Sequence, residues 1–273
     1  MEFPSPPGAP LTFAPAVANP LERPVIGVAM HYSAGHIVPP HQHPRGHLIY
    51  ADRGLLRVEA DTGQWLVPPT AAVWLRPGVR HRLVVPVDLQ AHGIYLRKDM
   101  CMGLPETDRV MPVSGLLKEL ILSLTALGRQ APVSRRADLL GQLLVEELRA
   151  PPSLPFHLPW PAETEIREVC QTLVRNPSHP ATADDWASIL AVSSKTFHRR
   201  FLKNTGLPFG KWRQHLRLMT SFTLLMQGMP ITQVALNSGY DSHSAYATAF
   251  RKQFGQSPSE FAGSVEKSSR LTK

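Results

Sequence analysis

The rhythm of apolar and polar positions changes twice along this chain of 273 residues. From about residue 24 to 98 it is a series of short β-rich runs, at 25–32, 47–50, 55–60, 65–67, 72–75, 81–85 and 92–96. Turn residues such as Asp61-Thr62-Gly63 and Arg76-Pro77-Gly78 separate them. Many short strands at regular spacing predict a β-barrel or sandwich. A period of three to four residues then takes over. In 113–127, Leu116, Leu117, Leu120, Ile121, Leu124 and Leu127 form one stripe; in 134–149, Leu139, Leu140, Leu143, Leu144 and Leu148 form another. Two helices are expected there. Their stripes are wide enough either to cover the barrel or to form a dimer interface, and the pattern leaves both open.

Prolines mark the limits of these regions. Residues 1–22 hold Pro4, Pro6, Pro7, Pro10, Pro15 and Pro20 with little periodicity, which reads as a mobile arm. Residues 151–162 hold Pro151, Pro152, Pro155, Pro159 and Pro161 and read as a semi-stiff linker. The fold class expected is therefore α+β in two domains: a barrel with two trailing helices over 23–150, and an all-α domain over 163–262 followed by a tail, 263–273.

The all-α half contains a repeat. Helix, tight turn and helix over 184–204 recur about 48–49 residues later over 231–254. Ala187 matches Ala235, Phe197 and Phe201 match Tyr246 and Phe250, and Gly206 matches Gly255. Small alanines let paired helices approach, and Gly239 takes a left-handed turn more cheaply than Ala191. A single helix over 211–226 would then set the two second helices about one DNA turn, roughly 34 Å, apart.

Charge supports a polyanionic partner. The formal net charge is +8, and residues 160–273 carry 14 basic against 8 acidic side chains. No acidic residue falls between Asp185 and Asp241, where Lys195, Arg199, Arg200, Lys203, Lys211, Arg213 and Arg217 all lie. A one-sign run of this length suits double-stranded DNA. With Phe197 and Phe201 as inward anchors, Lys195, His198 and Arg199 project together and can meet base edges. In the second unit His243, Ser244, Thr248 and Arg251 face outward. Arg217, on the long helix, suits either phosphate contact or a buttressing role.

The stretch SSKTFHRRFLKNTG at 193–206, the run WRQHLRL at 212–218, Gly239-Tyr240-Asp241-Ser242-His243-Ser244-Ala245-Tyr246 and FRKQFGQSP at 250–258 together resemble the DNA-binding domain of the AraC/XylS family. That resemblance, over roughly 163–262, implies two helix-turn-helix units joined by a long helix. It places base contacts at Lys195, His198, Arg199, His243, Ser244 and Thr248. His243 stands where the family often has proline, a departure bearing on the second half-site.

In the N-terminal half, Gly35, His41, His43, His47 and Gly54 are spaced as in the first cupin motif, with His47 where glutamate is usual. Residues 76–81, Arg-Pro-Gly-Val-Arg-His, resemble the second motif. The resemblance implies a small barrel that binds a small-molecule effector and supports a homodimer. Around Trp65 and Trp74 the chain looks closest to the subgroup tied to nitroimidazole resistance and control of efflux genes. His41, His43, His47 and His81 could hold zinc, nickel or iron. They could equally line an effector pocket with Trp65 and Trp74, and Arg76 and Arg80 beside His81 tilt the reading toward the pocket. A metal-sensing regulator, or a cupin enzyme with an accessory helical domain, are the competing functions; an enzyme is not expected. Cys101 and Cys170 lack motif spacing, no secretory signal pattern opens the chain and no apolar run reaches 18 residues. A cytoplasmic protein with no membrane partner is expected.

Overall fold

The computed structural model describes residues 23–61, 63–69, 71–128, 134–149 and 153–263. The arm expected at 1–22 and the tail beyond 263 lie outside them. The chain divides into two compact units, one running to residue 154 without 61–64, the other comprising 61–64 and the chain from 155.

The first unit holds β1 (Val25–Tyr32), β2 (Ile37–His41), β3 (Gly46–Arg53), β4 (Leu56–Ala60), β5 (Gly63–Val67), β6 (Ala71–Leu75), β7 (His81–Val84), β8 (Leu89–Leu96) and β9 (Arg109–Pro112), then α1 (Gly115–Leu127) and α2 (Arg135–Glu147). One antiparallel sheet has the order β1-β8-β3-β6-β9, and β5-β4-β7-β2 run side by side in a second. Ser114 and Ser134 cap the two helices by accepting from the Leu117 and Ala137 amides. Leu117, Leu120, Ile121 and Leu124 of α1 and Leu144, Val145 and Leu148 at α2 bury against Leu48, Tyr50, Ala72, Trp74, Ile94 and Leu96 of the first sheet. Helix α1 lies directly on β1, where a Cβ on Gly27 would stand 2.4 Å from the Leu124 carbonyl oxygen. Strand alternation then turns the odd-numbered residues of β3 and β8, among them His47 and Tyr95, to the other face of the sheet.

Two strands of this unit were not expected, and both carry proline. β2 reads Ile-Val-Pro-Pro-His, lies at the sheet edge and shifts register between Val38 and His41. β9 ends at Pro112 on the edge of the other sheet. Proline removes a ladder donor, so it survives in sheets at edges and irregularities, where it also erases the alternating signature.

The second unit holds a short strand, β10 (His157–Pro159), then α3 (Thr164–Arg175), α4 (Ala183–Ile189), α5 (Ser194–Thr205), α6 (Phe209–Met226), α7 (Ile231–Asn237) and α8 (His243–Phe254). Its core is two aromatic clusters, one under each half. Phe197, Phe201, Phe209 and Trp212 pack with ring centroids 5.2–5.8 Å apart. Phe222, Phe250, Phe254 and Phe261 form the other, most pairs between 4.6 and 5.0 Å. The expected linker needs correction here. Phe156 is buried and stacks on Phe254 at 4.9 Å, Leu158 is buried, and Trp212 and His215 donate to the carbonyls of Pro159 and Pro155. Residues 155–159 are thus packed into the helical unit, because apolar side chains alternate with the prolines and give the segment something to bury.

Candidate DNA-reading surface and histidine site

The two helix-turn-helix units are built alike. In the first, α4 ends in a turn where Ala191 takes φ 52° and the Val192 amide donates to the Ala187 carbonyl at 3.0 Å. In the second, Gly239 takes φ 77° and Tyr240 donates to Ala235 at 3.0 Å. This is the same left-handed closure twice, on the matched alanines. Ser193 and Ser242 then cap α5 and α8, and Gly206 and Gly255 end them in left-handed conformations.

These helices are pinned from beneath. Phe197, Phe201, Tyr246 and Phe250 are wholly buried, and the Tyr246 hydroxyl donates to Ser221 Oγ at 2.9 Å. Lys195, His198 and Arg199 on α5 are exposed, as are His243, Ser244, Thr248 and Arg251 on α8. The basic run divides into exposed and committed members. Arg200 bonds Glu163 and Glu165, tying α5 to the start of α3, with Asn204 donating to Glu163 Oε2 at 2.7 Å. Arg213 donates to the Ala181 carbonyl at 2.8 Å and to that of His179.

Arg217, grouped from sequence with the DNA contacts, is turned inward: its Nε donates to the Pro177 carbonyl at 3.0 Å and its Nη1 to that of Gly239 at 2.8 Å. It braces the second turn against the loop before α4. Of the two roles the sequence left open, this is the buttressing one, and its partners are backbone carbonyls 40 and 22 residues away.

In the first unit the four expected histidines do come together. His41, at the end of β2, pairs across the ladder with His81, the first residue of β7, and their rings lie 4.4 Å apart. His43 is 4.9 Å from His41 and 5.6 Å from His81. One nitrogen from each of His41, His43 and His81 lies within 4.8 Å of the others; His47 falls outside that set. His41 Nδ1 donates to the Pro39 carbonyl at 2.7 Å and His81 Nδ1 to that of Val79 at 2.9 Å, a tautomer in which the neutral ring carries its lone pair on Nε2. Burial pushes His43 and His81 down to about 4, so both are neutral at pH 7. Burial likewise holds His47 well below the ordinary imidazole range.

His47 stacks on Tyr95 at 4.2 Å, and neither of its ring nitrogens has a hydrogen-bond partner among the described residues. Tyr95, also 5.1 Å from His43, was missed from sequence; only its place on β8 opposite His47 brings it here. Trp74 is a correction. It pairs in register with Leu48, shares that residue's face, and lies in the core beneath α1 and α2 with its Nε1 donating to Pro105. The histidine face of β3 is the opposite one. Trp65 is buried on β5. Arg76, expected to set positive charge beside the histidines, is paired with Asp108 at 3.0 Å.

The class of protein is a two-domain regulator, in which a ligand-binding β domain is followed along the chain by a DNA-binding helical unit. Residues 26–151 match the AraC-like ligand binding domain family and 186–264 the helix-turn-helix domain family. The chain is 34% identical over 226 residues to the HTH-type transcriptional regulator NimR of Escherichia coli, covering 82% of this chain and 81% of that one. It is 38% identical over 103 residues to RipA of Corynebacterium glutamicum, covering 38% of this chain and 31% of that one. A solved structure of ToxT from Vibrio cholerae overlaps 89% of this chain and all of its own at TM-score 0.39 and 12% identity. The chain belongs to the AraC family of DNA-binding transcription regulators and carries that family's ligand-binding domain; the family is not one of enzymes. No helix among the described residues is long and apolar enough to cross a membrane.

Proposed function

We propose that this regulator acts in the cytoplasm as a homodimer, recognises a paired operator through α5 and α8, and answers to a small effector held on the histidine face of its β domain. The observation that carries the DNA reading is the matched construction of the two helices. Each is anchored by two wholly buried aromatic side chains and presents an exposed polar row opposite them. Lys195, His198 and Arg199 read one half of the site, with Arg199 and Lys195 suited to guanine edges. His243, Ser244 and Thr248 read the other, and Arg251 meets phosphate. Arg217 is assigned the buttressing role instead, its Nε and Nη1 being held by carbonyls.

The effector reading rests on buried ring nitrogens of His47 and His81 that lack hydrogen-bond partners among the described residues and converge from β3 and β7. A polar ligand among them would relieve a desolvation cost that a closed core would not tolerate. Exposed Leu116, Leu139 and Leu143 on α1 and α2 support a second copy as the partner. The likeness to the nitroimidazole-resistance subgroup supports a neighbouring transporter gene as the target.

Genome-wide mapping of bound sites, followed by footprinting with purified protein, tests this. The expected result is a few strong sites, one beside a transporter gene. Each chain of the dimer should protect two half-sites roughly 10 bp apart, centre to centre. Uniform binding without enrichment would refute sequence-specific recognition.

A further inference from the structure

Three features of the histidine site point past an all-organic pocket. First, His41 and His81 share an arrangement in which Nδ1–H is fixed on a carbonyl two residues earlier in the chain, Pro39 and Val79, and the His81 Nε2 has no hydrogen-bond partner among the described residues. That second-shell geometry orients an imidazole as a metal ligand. Second, the three-nitrogen set of His41, His43 and His81 contains no carboxylate. Asp108, whose charge reaches His81, has both oxygens on Arg76, at 3.0 and 3.3 Å. The same pairing offsets the charge of Arg76, and Arg80, the other arginine beside His81, is exposed to solvent. Third, His47 lies 5.2 Å from His43 and 5.7 Å from His81, outside the set, with both nitrogens buried and without a hydrogen-bond partner among the described residues.

We infer that His41, His43 and His81 hold a divalent transition metal through three neutral imidazoles, and that an anionic donor ligand completes its coordination beside His47. Imidazole sets suit zinc, nickel and iron, and three protein ligands leave a coordination position open. Three neutral ligands also leave the ion's full double charge uncompensated inside a protein, where charge is costly. A fourth protein carboxylate would cancel part of it. The set contains no such carboxylate, and His47, next to it, is stacked on Tyr95. The compensating charge must therefore arrive from outside. An anion on the metal would meet a ring N–H of His47, giving that buried imidazole the partner it lacks. This deepens the effector reading proposed above and rests on it: the effector is an anionic or readily deprotonated donor, sensed through the metal.

Cobalt(II) and azide supply the test, on full-length protein purified without a histidine tag. One cobalt per chain is expected, with the visible absorption of a low-coordinate site that azide shifts saturably. His41→Ala, a half-exposed position, and His81→Ala should each weaken cobalt binding by about 100-fold or more. His47→Leu should keep cobalt stoichiometry but lose most of the azide response. Circular dichroism confirms that each variant is folded, and the wild-type azide titration stands without any variant. Failure to bind cobalt, a cobalt spectrum indifferent to azide, or loss of cobalt in His47→Leu would each overturn the inference. Operator affinity is measured in parallel with metal-free, cobalt-loaded and azide-treated protein. If it is the same in all three while cobalt and azide bind as expected, the metal site stands and the effector reading fails.

Discussion

Ala191 and Gly239 occupy the same place in the two DNA-binding units and meet different constraints there. Both backbones are left-handed, at φ 52° and 77°, a conformation that costs an L-residue roughly 1–2 kcal/mol. Glycine escapes that cost but loses about 0.5–1 kcal/mol in chain entropy. Ala191→Gly should accordingly gain up to about 1 kcal/mol in urea unfolding. Gly239→Ala should lose more than the backbone term alone, because its Cβ would meet the Arg217 guanidinium at 2.8 Å and displace the brace. Equal and small effects at the two turns would show that Arg217 yields freely. The same contrast separates two arginines that sequence grouped together. Arg199→Ala should cost about 1–3 kcal/mol of operator affinity, with a much smaller change on scrambled DNA, read by fluorescence anisotropy. Arg217→Ala should lower stability instead and leave the ratio of specific to non-specific binding near wild type. An Arg199→Ala protein that is folded and binds the operator normally would remove that residue from the base-reading face.

At the scale of elements, helix α6 holds the segment before α3 by two side chains one turn apart. Trp212 donates to Pro159 at 2.8 Å and His215 to Pro155 at 2.8 Å. Burial lowers His215 below the ordinary imidazole range. A group depressed in the folded state adds stability above its unfolded pKa of about 6.5 and loses it as pH falls toward the folded value. The advantage of wild type over His215→Leu in thermal midpoint should therefore be largest at neutral pH and shrink below about 6.5. An advantage constant with pH would mean that the imidazole does not titrate against its burial. Elements of this kind set the limit of what the pattern of residues revealed. The helices were legible because leucine spacing, the repeated aromatic positions and the glycines at their ends agree there. The helix-turn-helix pair was legible because it occurs twice. β2, β9 and the packed 155–159 segment were not, since proline carries opposite meanings in a linker, an edge strand and a bulge. The histidine cluster was legible as a set of four from motif spacing. That Trp74 faces away from it depends on which residue of β3 it pairs with, Leu48 rather than His47, and register is a property of two strands that neither shows alone.

For the whole molecule, the question is what the outer surface of α1 and α2 is for. Their inner faces account for the buried leucines, yet Leu116 is 48% exposed, Leu139 54% and Leu143 43%. Leu139 and Leu143 stand four residues apart and so share one face of α2. Joining two chains there would make the second DNA contact intramolecular, and such linkage typically raises avidity by about 10²–10⁴-fold. It would also double the number of phosphates neutralised, so affinity should fall more steeply with salt for the dimer than for a single chain. Replacing both leucines by glutamate puts like charges on that face without touching the buried contacts. The double variant should sediment as a monomer at concentrations where wild type is a dimer, about 10 µM for an interface of ordinary strength. It should bind a full operator at least about 100-fold more weakly, and a single half-operator as wild type does. Its salt dependence on the full operator should drop to roughly half the wild-type slope. Should the variant stay dimeric, the interface lies elsewhere. Should it become monomeric with undiminished affinity for the full operator, one chain with its two reading helices suffices, and the exposed leucines serve something other than DNA recognition.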